Sequence, residues 1–133
     1  MKTFALILLG LCTLPALGQT QKVKVRFTCQ CDDLVGARYA TVVRDLIAKS
    51  PRYVATSVFT SGTVEGKDLV WNYGIRVLSV DDGTTQKGIA TAVSVVITIG
   101  DIYISQLVET CGSLHVDDCA ADTLAFLDKN AAP

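Results

Sequence analysis

The hydrophobic period of the chain changes abruptly near residue 32, and this change constrains the fold more than any other feature. Before it, apolar residues from Val23 to Cys31 alternate with polar residues from Lys22 to Gln30. A strand turns successive side chains to opposite faces, so the alternation predicts a half-buried strand with a basic outer side. After it, apolar residues between Leu34 and Lys49 recur at three- and four-residue spacing, which predicts an amphipathic helix.

The remainder of the chain predicts four more strands and one more helix. The strands are expected at residues 53–59, 69–80, 89–99 and 102–110, and the helix ends at about residue 129. Asp32 and Asp33 are suited to cap the first helix, which Pro51 ends. Asp117 and Asp118 are suited to cap the second. This order, β-α-β-β-β-β-α, predicts an α+β two-layer sandwich with a mostly antiparallel sheet and two helices on one face.

Residues 1–18 have the three-part pattern of a secretory signal peptide. Lys2 precedes an apolar run at residues 4–12, Pro15 breaks that run, and small residues flank the predicted cleavage site at Gly18. Cleavage before Gln19 leaves residues 19–133 as a single domain. The apolar run is shorter than the roughly 20 residues of a membrane-spanning helix, so no stable membrane insertion is expected after cleavage. The expected localisation is periplasmic or secreted.

The charge balance argues against a nucleic-acid partner. The whole chain carries 12 basic and 13 acidic residues, and removal of Lys2 with the signal makes the balance more negative. Nucleic-acid binding calls for a strongly basic face instead. No nucleic-acid partner is therefore expected.

Four cysteines follow the predicted signal, and in an oxidising compartment an even number predicts two disulfides. These disulfide candidates are Cys29, Cys31, Cys111 and Cys119. The Cα atoms of Cys29 and Cys31 are expected about 7 Å apart on one strand face. That separation exceeds the usual disulfide range. Each is therefore predicted to pair with Cys111 or Cys119, joining the first strand to the carboxyl-terminal segment.

The alternative for the same residues is a small metal-binding or thiol-redox protein. The candidate metal ligands are Cys29, Cys31, Cys111, His115 and Cys119. Zinc sites prefer paired cysteine knuckles, and export favours oxidation of the thiols over metal binding. A redox centre needs partly exposed cysteines, whereas these are predicted on the core side of the first strand.

The sequence shows no catalytic constellation and predicts no cofactor. His115 is the only histidine, and no glycine-flanked nucleophile motif is present. The aspartate pairs beginning at Asp32, Asp81 and Asp117 stand where helix caps or turns need them. Trp71, Tyr73 and Tyr103 fit either the core or an exposed binding patch, since aromatic residues are enriched in both.

The segment from Asp33 to Tyr53 resembles a pattern found in bacterial envelope proteins. Its residues are Leu-Val-Gly-Ala-Arg at the helix start, Leu46, and Ser-Pro-Arg-Tyr at residues 50–53, followed later by Asp-Asp-Gly-Thr at residues 81–84. The pattern is similar to the amino-terminal domain of the TolB translocation protein and to the curli-secretion lipoprotein family. About 90 residues follow this outline. The resemblance implies an α/β sandwich for envelope assembly or protein contacts without catalysis. We therefore expect an exported, non-enzymatic protein-binding or assembly domain of the bacterial cell envelope.

Overall fold

The computed structural model describes residues 22–56, 73–81, 83, 88–100 and 102–131. The predicted signal peptide lies outside the described residues. The elements are β1 (Val23–Cys31), α1 (Leu34–Lys49), β2 (Tyr53–Ala55), β3 (Tyr73–Asp81), β4 (Ala90–Ile99), β5 (Ile102–Gly112) and α2 (Val116–Asn130). Within these ranges neither helix is long and apolar enough to cross a membrane.

The five strands form one mixed sheet in the order β2-β1-β3-β4-β5. Strand β1 runs parallel to both β2 and β3, whereas β4 is antiparallel to β3 and β5. The α+β class is confirmed, but the prediction of a mostly antiparallel sheet is wrong. The prediction failed because β3 pairs with β1, in the same direction, instead of with β2, its neighbour along the chain.

One core lies between the sheet and the two helices. Strand residues of one parity, such as Val25, Ile75 and Val95, are almost completely buried. They pack in a single cluster with Tyr39 of α1 and Leu127 of α2. Both helices therefore cover the same side of the sheet, and the side chains of the other parity point away from the core.

Asp33 fastens the start of α1 to the sheet. Its Oδ1 accepts a hydrogen bond from the Gly36 amide at 2.7 Å, which caps the helix as predicted. Its Oδ2 accepts hydrogen bonds from Ser79 Oγ at 2.7 Å and Thr91 Oγ1 at 2.9 Å. One carboxylate thus joins α1, β3 and β4. At α2 the cap position is His115, so the prediction that Asp117 and Asp118 cap this helix is wrong, because both lie inside its first turn.

Candidate interaction surface

The four cysteines lie in two separate places. Cys29 is paired with Cys31 within β1, and Cys111 at the end of β5 is paired with Cys119 of α2. The Cα separations, 5.6 Å and 6.2 Å, fall within the range for disulfides. The predicted long-range pairing is wrong, since β3 and β4 separate β1 from β5. In addition, β1 brings its two cysteines closer together than an ideal strand does.

Because of this separation, the five candidate metal ligands do not lie together. Among the described residues, no group of three or more His, Cys, Asp and Glu side chains is placed to hold a metal ion. His115 is exposed, and its Nδ1 lies 3.4 Å from Asp118 Oδ2. The thiol-redox alternative stays a prediction. A thiol titration under native conditions tests it, and finding no reducible pair at Cys29 and Cys31 would contradict it.

Most other polar contacts tie elements together. The Arg52 guanidinium pairs with the Asp128 carboxylate at 3.0 Å, and the Tyr53 hydroxyl donates to the same carboxylate. Tyr39 and Thr123 join α1 and α2 through their hydroxyls. Burial raises the pKa of both tyrosines, which keeps their hydroxyls protonated. These side chains therefore hold the helices and strands together.

Glu109, on the helix side of β5, is a half-buried carboxyl that takes no part in these contacts. Its Oε1 is buried without a hydrogen-bond partner. Burial raises the pKa of Glu109, and the nearby Asp122 carboxylate adds to the shift. Among the described residues, it belongs to no group of three or more side chains that could hold a metal ion, so it does not define a site.

The side of the sheet away from the helices is the candidate interaction surface, here termed the open face. Its residues alternate with the buried ones along four strands. They are Lys24, Arg26, Thr28 and Gln30 of β1, Gly74, Arg76, Leu78 and Val80 of β3, Ala92, Ser94 and Val96 of β4, and Gln106, Val108 and Thr110 of β5.

Large apolar side chains remain exposed on one half of the open face. The exposed fractions are 46% for Leu78, 57% for Val80 and 67% for Val108. Strand register places Ser94 between Leu78 and Val108. Ala92 lies beside Val80 in the next row of the same register. Because the β4 residues are small, the three larger side chains border a shallow furrow, and these five residues are termed the apolar patch.

The other half of the open face is polar and basic. A groove of about 460 Å³ is lined by Gly74, Arg26 and Arg76 and extends to Leu78 at the border of the apolar patch. Lys24 stands on the same face of β1. None of the open-face residues named above carries a carboxylate. The surface therefore changes along the strands, from cationic around Arg26 and Arg76 to apolar toward the carboxyl end of β3 and the parts of β4 and β5 beside it.

The sequence predicted some exposed residues and missed others. Tyr103 is 60% exposed, whereas Tyr73 is buried in the core. Trp71 lies outside the described residues. Leu78, Val80 and Val108 were missed because aliphatic residues in strands ordinarily indicate the core. The sequence did contain one signal, because β3 has apolar residues on both faces. Ile75 and Val77 face the core, and Leu78 and Val80 face away from it.

No protein-family model matches this chain, and no curated protein resembles it closely enough to count as a relative. The resemblance to TolB-like and curli-secretion domains therefore stays a prediction. Among the described residues, the features that bear on function are the open face and the exposed edge of β5.

Proposed function

We propose that this protein is an exported, non-enzymatic domain of the bacterial cell envelope that binds another protein through its open face. The observation that carries the proposal is the exposure of Leu78, Val80 and Val108 on one side of a sheet whose other side packs against two helices. Contiguous exposed apolar surface is a common mark of a protein-binding site.

The shape of the apolar patch supports a protein partner. Leu78 and Val108 stand two strand spacings apart with the smaller Ser94 between them. Ser94 lies at the bottom of the furrow, and its Oγ accepts a hydrogen bond from Gln106 Nε2 at 2.8 Å. The hydroxyl oxygen therefore already has a hydrogen-bond partner. An apolar side chain from a partner fits such a furrow without leaving a buried donor unpaired.

The charges of the open face indicate the chemistry of that partner. Arg76 stands next to Leu78 on the open face, and Arg26 and Lys24 lie further along the same face. None of the described open-face residues carries a carboxylate. Complementary potentials speed association and select partners, since like charges in contact are costly. The partner is therefore a surface with an apolar centre and carboxylates along one side.

Two further features support export and the absence of catalysis. Cysteine pairs at disulfide distance fit an oxidising compartment, periplasmic or extracellular. The polar groups with buried partners, such as Asp33 and Tyr39, hold elements together. His115 is exposed and faces only Asp118 among the described residues.

Site-specific photocrosslinking in the native envelope tests the proposal. A photoreactive residue at Leu78 is expected to give a discrete adduct with one other protein. The matched control is the same residue at Ala48, which is exposed on α1 on the opposite layer. No adduct at Leu78, or equal adducts from both positions, contradicts binding through the open face.

A further inference from the structure

We propose that the edge of β5 pairs antiparallel with β5 of a second copy, around a two-fold axis at Val108. The inference goes beyond the proposed function, because it concerns a different surface, the edge of β5, and takes a second copy of this chain as the partner. The joined sheet has ten strands, with both helix layers on the same side.

The edge of β5 is long, and its segment from Ser105 to Cys111 has no proline, no basic side chain and no register shift. The strand has 11 residues, and among the described strands it stands last in the sheet, with β4 as its neighbour. It contains no proline, lysine or arginine, and Glu109 is its one charged residue. Edge strands usually carry lysine, proline or a covering element to prevent association, so an edge without them is suited to pairing.

One hydrogen bond shows which backbone groups point outward. The Ser113 amide donates to the Ile89 carbonyl at 2.7 Å, continuing the β4–β5 register beyond the strand ends. In an antiparallel pair, residues alternate between bonding inward and pointing outward. Residues of β5 that share the parity of Ser113 therefore bond to β4. Gln106, Val108 and Thr110 direct their N–H and C=O groups to the free edge.

The register around Val108 avoids the irregular part of the strand. Ile104 has no partner on β4, because Ser105 pairs with Ile97 and Tyr103 pairs with Thr98. With Val108 on the axis, Gln106 faces Thr110 of the second copy. The regular segment from Ser105 to Cys111 then pairs throughout. The three outward pairs form about six hydrogen bonds, within the range of ordinary protein interfaces.

The side chains are compatible with self-pairing in this register. Val108 meets its own copy, and cross-strand contacts between apolar β-branched residues stabilise a sheet. Glu109 lies opposite Leu107 of the second copy, so no two carboxylates are directly opposed. Because Leu78, Ser94 and Val108 form one row, the two apolar patches meet at the axis and form one continuous patch.

Sedimentation of the oxidised mature protein, over a range of concentrations, tests the pairing. We expect a dimer, and Val108→Lys is expected to raise its dissociation constant by about tenfold or more, since like charges then meet at the axis. Val80→Lys is the matched control, because Val80 is similarly exposed on the same face but belongs to the interior strand β3. It is expected to remain dimeric.

A second variant guards against misfolding of the first. Thr110→Pro removes an outward N–H and no bond to β4, so it is expected to weaken the dimer while circular dichroism stays unchanged. A wild type that stays monomeric, or a Val80→Lys variant as dissociated as Val108→Lys, overturns the edge pairing. Loss of the Leu78 crosslink with the dimer intact contradicts only the proposed function, so the two failures are distinguishable.

Discussion

Asp33 shows how one side chain couples local structure to the whole fold. It caps α1 and accepts hydrogen bonds from hydroxyls on β3 and β4. Burial by itself raises the pKa of Asp33, but the hydrogen bonds to its carboxylate outweigh that effect and hold the pKa below its usual value. Folding therefore favours the charged form of this group.

The lowered pKa of Asp33 predicts a pH-dependent contribution to stability. A carboxyl of this kind stabilises the fold above its unfolded-state pKa of about 3.9, and the contribution is lost as pH falls through the lower folded-state value. Asp33→Asn keeps a capping oxygen but removes the charge. Its deficit in unfolding free energy is expected to be largest at neutral pH and to shrink below about pH 4.

Urea unfolding at pH 7 and pH 3 measures this effect. The exposed Asp45→Asn on α1 is the control for a general loss of charge. A deficit in Asp33→Asn that is the same at both pH values contradicts the assigned role.

At the scale of elements, α1 was predicted with its observed bounds, Leu34–Lys49. Its apolar period, the Asp33 cap and Pro51 all act locally, so sequence alone reports them. The pairing of β1 with β3 was not predictable in the same way, because it depends on which distant edges meet. The Cys29–Cys31 pairing was mispredicted because an ideal strand rise was assumed for β1.

The close approach of α1 to β3 predicts an unusual effect of a helix substitution. Glycine in a helix interior ordinarily gains stability on replacement by alanine, by about 0.5–1 kcal/mol. At Gly36, an added Cβ lies 2.5 Å from Ser79 Cβ. Gly36→Ala is therefore expected to lower the unfolding free energy by about 1–3 kcal/mol, because α1 must move off the sheet.

Urea unfolding of Gly36→Ala beside the exposed control Thr41→Ala measures the cost of this contact. The control is expected to change the unfolding free energy by no more than about 0.5 kcal/mol. A Gly36→Ala protein as stable as the wild type contradicts the close packing of α1 on β3.

At the scale of the whole molecule, the layers explain why one surface is available for binding. Both helices cover one side of the sheet, so alternation along each strand leaves the other side without a partner layer among the described residues. Sequence alternation in β1 predicted its basic outer side. The apolar patch was not predicted, because it is assembled from β3, β4 and β5 by a register that no local pattern specifies.

The central claim is that the open face holds another protein in the envelope. The most direct measurement is the size of the species that contains the protein after gentle extraction from the cells that make it. The wild type and Ala48→Glu are expected in a complex larger than two copies of the chain. Leu78→Glu is expected only as the free protein, which is a species no larger than two copies. A wild type found only as the free protein, or a Leu78→Glu variant still in the larger complex, contradicts the claim.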